Sequence, residues 1–481
     1  GGCIVLRAAV DHEIMEKAIN QIIKEHDAFR IGLYEFDGEP YQYVKDYEYR
    51  ALQLRNFDSD EEFAQWQNSF FLEAFDIYKD ELYSFVLCKL SGADYRIVLK
   101  MHHIIADGWS FQLIAEYMTK AYFSVKNGSV SAEDTPGISY LTHLEKEEGY
   151  LGSEQMKRHR QYWLERFKDA DTINFLQPSK GLEGKRKSFT LSSEETAQLR
   201  KFAADNKLFL QTIVIAAYYL YRSACVGEKD IIVGIPVFNR SGHTEKSIIG
   251  MFTSTIAYRF CIDENASISG YLTSMNRRLM EDLRNQKYPY NMLIEELKSL
   301  NNSLENMFDV SINYYNSGFT KSFNKWDSTV EECYCGFQFY NLQIVIKEWK
   351  NSGELTLFYD YKTDVYSEYR INELHSHLVY IMEYMVKNSC KTVAEIPAFS
   401  ASDAEKYLVK YNSPKSEYPK DKTIVELFEE CAAQKPDRCA IEYNSKKLTY
   451  KELDEQADRL ANYLHSERKL ENKTIGICTL H

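Results

Sequence analysis

Along this chain the apolar residues switch repeatedly between a spacing of two and a spacing near 3.6, in two stretches of comparable content. Such a pattern restricts the fold to mixed sheet and helix. The first stretch predicts a strand from Cys3 to Val10 and a helix from His12 to Glu25, striped by Ile14, Ala18, Ile19, Ile22 and Ile23. Strands near Phe29 to Tyr34 and Tyr41 to Lys45 precede a helix from Ser59 to Phe75 that opens on Asp60-Glu61-Glu62. Strands from Tyr83 to Leu90 and Tyr95 to His103 are joined at Ser91-Gly92-Ala93-Asp94, and helices from Ser110 to Lys126 and Ser139 to Phe167 end this half. The second stretch predicts a strand from Ser188, helices from Ser193 to Asn206 and Leu210 to Cys225, and strands from Asp230 to Pro236 and Phe252 to Ile262. A helix from Ser267 to Asn285, a hairpin from Leu342 to Tyr361 turning at Asn351-Ser352-Gly353, and a helix from Ser367 to Lys387 follow. The expectation is two lobes of related α/β build, with a cleft between them as the natural place for a ligand.

At 481 residues the chain is too long for one core and predicts two to four domains. No apolar run reaches the ~18 residues of a membrane span. Gly1-Gly2-Cys3-Ile4-Val5-Leu6 lacks the basic start and cleavage site of a signal peptide, and reads as a strand cut from a longer chain. A net charge of −13 disfavours a nucleic-acid backbone as partner. The ten cysteines are scattered, with only Cys333 and Cys335 close, which fits reduced thiols and a cytoplasmic location.

Chemistry concentrates at Met101-His102-His103-Ile104-Ile105-Ala106-Asp107-Gly108-Trp109-Ser110. Continued strand alternation puts Ile97, Leu99, Met101 and His103 on one face and Arg96, Val98, Lys100 and His102 on the other. The two histidines then point in opposite directions, and Asp107 lies past the strand end, able to brace the turn. Three readings fit: satisfied core histidines, a metal site, or an imidazole used as base or hydrogen-bond partner in group transfer. The metal reading is weakened by the lack of an obvious third ligand, since there is no Cys-x-x-Cys and the other histidines are scattered.

The segment His102 to Ser110 resembles the His-His-x-x-x-Asp-Gly-Trp-Ser signature of nonribosomal peptide synthetase condensation domains. Glu25-His26-Asp27-Ala28-Phe29-Arg30 resembles the family's Arg-His-Glu-x-Leu-Arg block, and Ile249-Gly250-Met251-Phe252-Thr253-Ser254-Thr255 its Ile-Gly-x-Phe-Val-Asn-Thr block. Asn285-Gln286-Lys287-Tyr288-Pro289-Tyr290 is similar to His-Gln-Asp-Tyr-Pro-Phe, and Met307-Phe308-Asp309-Val310 stands where Leu-Phe-x-Val is expected. The resemblance implies two lobes like chloramphenicol acetyltransferase set in a V, with a tunnel to His103. It implies amide formation: the α-amine of an acceptor aminoacyl thioester attacks a donor acyl thioester, each on the phosphopantetheine arm of a carrier protein. No cofactor is intrinsic, no metal is expected, and neither nucleic acid nor membrane is a partner.

Mapped residue by residue, the resemblance makes His103 the catalytic candidate, as general base or as the group that orients the amine. Positioning of two tethered reactants contributes alongside proton transfer. His102, by its opposite facing, reads as structural. Asp107 reads as a brace whose implied partner is a distant arginine, with Arg240 of Asn239-Arg240-Ser241-Gly242 the candidate. Gly108 either lets backbone approach the reacting carbonyl or is a plain turn glycine. Arg30 either pairs with a carboxylate near the site or caps a sheet. The chain departs from the family at Thr253-Ser254-Thr255, which lacks the usual Asn, and at Glu305-Asn306-Met307, in place of Arg-Asn-Pro-Leu. The early Ser-x-Ala-Gln-x-Arg block is missing because the chain starts after it. Trp109-Ser110 after Asp107-Gly108 resembles the type that joins two L-residues. Two alternatives stand beside this reading: a coenzyme A-dependent acyltransferase on the same fold, and a docking domain without catalysis.

The expected divisions are residues 1–178 for the first lobe, 179–395 for the second, 396–420 for a linker and 421–481 for a further piece. The linker is marked by Asn412-Ser413-Pro414 to Pro419. Beyond it the pattern predicts a helix from Thr423 to Gln434, a strand from Ala440 to Tyr443, a helix from Tyr450 to Ser466 and a strand from Thr474 to Cys478. Leu448-Thr449-Tyr450-Lys451-Glu452-Leu453 resembles a block near the start of adenylation domains, implying a truncated adenylation start joined in cis, without the phosphate-cradling loop that adenylation needs.

Overall fold

A computed structural model describes residues 1–91, 94–128, 139–169, 179–240, 242–299, 304–316, 328–348, 353–397, 399–400, 403–405, 408–409, 419–443, 446–468 and 476. They form two compact units, Gly1–Ser400 and Ala401–His481. Gly92, Ala93, Ser241, Asn351, Ser352 and most of the expected linker and last strand lie outside the described residues.

In the first unit the chain runs β1 (Gly2–Leu6), α1 (His12–Glu25), β2 (Ile31–Phe36), β3 (Glu39–Val44), β4 (Gln53–Phe57), α2 (Asp60–Leu72), β5 (Tyr83–Leu90), β6 (Tyr95–Met101), α3 (Gly108–Lys126), α4 (Tyr140–Leu151) and α5 (Glu154–Arg166). It continues through β7 (Gly184–Thr190), α6 (Ser193–Asp205), α7 (Leu210–Val226), β8 (Asp230–Val237), β9 (Ser254–Cys261), α8 (Ile268–Arg284) and α9 (Tyr290–Lys298). The last elements are β10 (Val310–Asn316), β11 (Ser328–Glu332), β12 (Leu342–Glu348), β13 (Leu355–Lys362) and α10 (Glu368–Lys387). The sheets have the orders β11-β1-β6-β5-β4 and β7-β13-β12-β10-β8-β9, and β2 and β3 form a separate ribbon. Each sheet anchors its own lobe.

Local chemistry sets several boundaries. The Asp11 side chain caps α1 by accepting from Ile14 N at 3.1 Å, and Ser192 with Glu195 forms a capping box at α6. The single helix expected from Ser139 to Phe167 is two helices, because Gly152 ends α4 and Ser153 caps α5. The strand expected to reach His103 stops at Met101, so alternation does not determine where either histidine points.

Sequence halves and spatial lobes do not coincide. β11, from the second half, crosses to pair antiparallel with β1, with Gly2 opposite Glu332. α5, from the first half, buries Met156 and Trp163 in the second lobe's core, and Trp163 Nε1 donates to Asn285 O at 2.9 Å. Ile249 makes the reverse crossing, packing with the first lobe's Leu113, Ile114 and Met118. A cut at 178/179 therefore leaves elements of each lobe on the wrong side.

The second unit contains helices Ile424–Gln434 and Tyr450–Arg468 flanking a two-stranded sheet, Cys439–Tyr443 against Lys446–Thr449. Thr423 with Glu426 forms a capping box at its first helix. Among the described residues no single helix is long and apolar enough to cross a membrane, and no cluster of His, Cys, Asp and Glu is arranged to hold a metal.

Candidate active site

The histidine pair sits in a tight turn between β6 and α3. His102 N donates to Leu82 O at 2.8 Å, and Ile105 N closes the turn onto His102 O at 3.2 Å. Ile105 and Ala106 are buried in a small apolar cluster with Ile31, Leu82, Tyr140, Ile248 and Phe252. Burying these two residues turns His103 and Ile104 outward.

His103 is exposed on a cavity of about 560 Å3, lined from the first lobe by Gly108, Trp109 and Gln112 and from the second by residues including Phe238, Thr253 and Tyr315. No hydrogen bond to its ring is made among the described residues. His102 is half-buried, with its ring edge-on to Phe75. Its Nδ1 accepts from Ile104 N at 3.2 Å, which places the proton of the neutral ring on Nε2. Burial lowers the His102 pKa, and the neighbouring His103 lowers it further.

Asp107 is the N-cap of α3, accepting from Ser110 N at 2.9 Å. Arg240 Nη2 lies 2.9 Å from both Asp107 oxygens across 133 residues of sequence, and both side chains are fully buried. Phe252 N and Thr253 Oγ1 also donate to Asp107 Oδ2, at 3.2 and 3.3 Å. Arg240 Nη1 donates to Glu245 O and Ile248 O, both at 2.6 Å, and its guanidinium lies 3.8 Å from the centre of the Phe252 ring. Burial pulls the Arg240 pKa down although Asp107 opposes this; pairing and hydrogen bonding make so deep a charge tolerable. This knot joins the α3 N-terminus to the second lobe.

The remaining candidates divide. Gly108 is the first residue of α3 rather than a turn glycine. A Cβ there would stand 3.1 Å from Tyr315 Cε2, and Tyr315 Oη donates to Gly108 O at 3.1 Å. Arg30 pairs with Asp27 at 2.7 Å and donates to Lys45 O at 2.9 Å, so it ties the β2–β3 ribbon to the turn before it and does not line the cavity that His103 faces.

The condensation-domain sequence profile matches residues 2–408. The chain belongs to the condensation-domain family. It is 27% identical over 483 residues to a plipastatin synthase protein of Bacillus subtilis (strain 168), covering 99% of this chain and 19% of that protein. It is also 27% identical to surfactin synthase subunit 1 of the same strain, covering 98% of this chain and 13% of the relative. The chain thus spans under a fifth of the length of these synthetases. Among solved structures, the first condensation domain of the calcium-dependent antibiotic synthetase superposes with a TM-score of 0.68 at 20% identity, covering 83% of this chain and 93% of that one. The starter condensation domain of the rhizomide synthetase gives 0.69 at 20% identity, covering 83% and 91%. These likenesses establish the two-lobed, chloramphenicol-acetyltransferase-like fold.

In this condensation domain the structure gives site roles to residues that the motif blocks contain without assigning them one, and to Tyr315. Ser110 is wholly buried, its Oγ 2.8 Å from Asp107 Oδ1 and 2.9 Å from Gly250 O. Gly250, within the Ile249 to Thr255 block, accepts from Arg240 Nη2 at 3.0 Å, and a Cβ on it would run into the Tyr140 ring at 2.4 Å. Trp109 Nε1 donates to Lys246 O at 2.8 Å. The block pattern signals Gly250, whereas nothing local signals Tyr315.

Proposed function

We propose that this condensation domain forms an amide between a donor acyl or peptidyl thioester and an acceptor aminoacyl thioester, both carried on phosphopantetheine arms of carrier proteins. The acceptor α-amine attacks the donor carbonyl, the thiolate leaves, and the lengthened chain passes to the acceptor carrier. His103 takes the amine proton or holds the amine in line. His102 shapes the turn; Asp107 and Arg240 hold it from behind; Gly108 lets Tyr315 approach the first turn of α3. The observation that carries the reading is the His103 ring, without a hydrogen-bond partner among the described residues, on a cavity shared by both lobes. An α-amine titrates near ~8, so a useful share is neutral near pH 7, and general-base assistance is worth roughly 10²- to 10⁴-fold.

Trp109-Ser110 after Asp107-Gly108 supports the type that joins two L-residues. The second unit is the start of an adenylation domain in cis. Leu448 to Leu453 and a 99% span of this chain in the plipastatin synthase match support that assignment. Mass spectrometry of products from two chemically loaded carriers tests the function: wild type yields the dipeptidyl thioester on the acceptor, and His103→Ala does not. Undiminished product from His103→Ala refutes the catalytic assignment, and carrier binding without turnover by wild type identifies a docking domain.

A further inference from the structure

Beyond Tyr315 lies a second cavity, of about 280 Å3, which shares Gly108, Asn313, Tyr315 and Gln343 with the cavity that His103 faces. Tyr315, hydrogen-bonded to Gly108 O, lines both. The far chamber is apolar where α3 lines it, at Phe111, Ile114 and Ala115. Its opposite wall is polar. Arg186 there is bidentate to Asp360, at 2.6 and 2.8 Å, and Glu332 is held by Lys347 at 2.7 Å. These four charged side chains are therefore paired with one another, and Gly1 lines the chamber beside them.

Asn313 and Gln343 differ from these groups. In the parallel pairing of β10 with β12, Asn313 lies opposite Val345, two residues from Gln343, so the two carboxamides are diagonal neighbours on one face. Both are half-buried, both border both cavities, and neither makes a side-chain hydrogen bond among the described residues. A carboxamide needs a partner for its N–H and its C=O once water is expelled. The paired side chains Arg186, Asp360, Glu332 and Lys347 offer a charged ligand no free counter-charge, and an apolar ligand strands both amides.

We propose that Asn313 and Gln343 are specificity-determining residues that select a substrate acyl group with a neutral hydrogen-bonding side chain, a carboxamide or hydroxyl, seated in the chamber beyond Tyr315. The inference rests on the amide-forming reading of the His103 cavity. The amides of the phosphopantetheine arm offer the same chemistry but are identical in every loaded carrier, so comparing isosteric acyl groups separates the two sources.

The test measures kcat/KM with asparaginyl against leucyl and threonyl against valyl groups, loaded in turn on the donor and acceptor carriers. Wild type prefers the polar member of each pair by about tenfold or more on one of the two carriers, since unpaired buried amides penalise the apolar member. Asn313→Leu and, independently, Gln343→Met shrink that preference by lowering kcat/KM for the polar member more than for the apolar one. Equal rates within both pairs on both carriers overturn the proposal and leave the function of His103 standing. A uniform loss with all four groups in the variants means that the amides read the arm, and likewise overturns it. If no pair yields product the catalytic reading fails, and the affinities of amide-linked asparaginyl- and leucyl-pantetheine analogues decide the selection: indistinguishable affinities refute it.

Discussion

Between His102 and Ser110 one short segment contains two arrangements of opposite kind. At Asp107 the carboxylate is fully buried and held by Arg240, Ser110, Phe252 and Thr253. Four residues earlier His103 is exposed on a cavity with its ring unengaged among the described residues. Rigidity and accessibility are thus separated along the chain: the far end of the turn is clamped while the near end stays open to the cavity. In the proposed reaction a group that meets two incoming arms cannot be fixed by its own hydrogen bonds without being occupied by them, so its neighbours fix it.

This contrast is open to direct attack. The largest expected effect is on turnover, where His103→Ala loses about 10²-fold or more in product formation while its thermal unfolding temperature stays at the wild-type value; calorimetry alongside the carrier assay checks both. Next comes Asp107→Asn, which leaves Arg240 buried beside a neutral partner and costs about 3–5 kcal/mol in urea unfolding. An Asp107→Leu, Arg240→Met double variant recovers part of that loss. If Asp107→Asn keeps full stability but loses activity, the clamp is chemical and the contrast fails.

A pH titration of stability gives a smaller effect. His26, stacked on Tyr117 with ring centres 4.8 Å apart, has its pKa lowered to about 4 by burial, against a weaker opposing pull from Asp27. The unfolded chain therefore binds the proton first, near the ordinary histidine value of about 6.5. The His26 contribution is complete above that pH and is lost as pH falls toward 4, about 3 kcal/mol in all. Urea titrations at stepped pH check the slope, and His26→Phe flattens it. Smallest is Gly108→Ala, where a gain in helix propensity, smaller at this first helical position than the ~1 kcal/mol of a helix interior, opposes the crowding of Tyr315 at 3.1 Å. Its net shift in unfolding free energy is expected within about 1 kcal/mol, read from the same titrations.

Much of the fold was legible in the sequence. The expected α1 matches from His12 to Glu25, and β5 from Tyr83 to Leu90, because periodicity and an Asp or Ser cap act within a few residues. Four strands and a helix were not anticipated: β4, β10, β11, the short strand Lys446–Thr449 and α9. β4 lies at a sheet edge with most of its residues exposed, so it lacks an apolar alternation. At the site the residue types were legible, but the reason for their geometry was not. The alternation that assigned faces to His102 and His103 ends at Met101, and burial of Ile105 and Ala106 orients His103 instead.

By itself the sequence determined the element types and the ordered blocks that mark the family, since both depend on residues near one another in the chain. Only the tertiary structure decided that the Asp107–Arg240 pair, which the family blocks had suggested, is fully buried, that β11 pairs across into the first sheet, and that Asn313 and Gln343 border both cavities beside Tyr315. Those outcomes depend on which distant surfaces lose water together, a property of the packed chain that no short window of sequence contains.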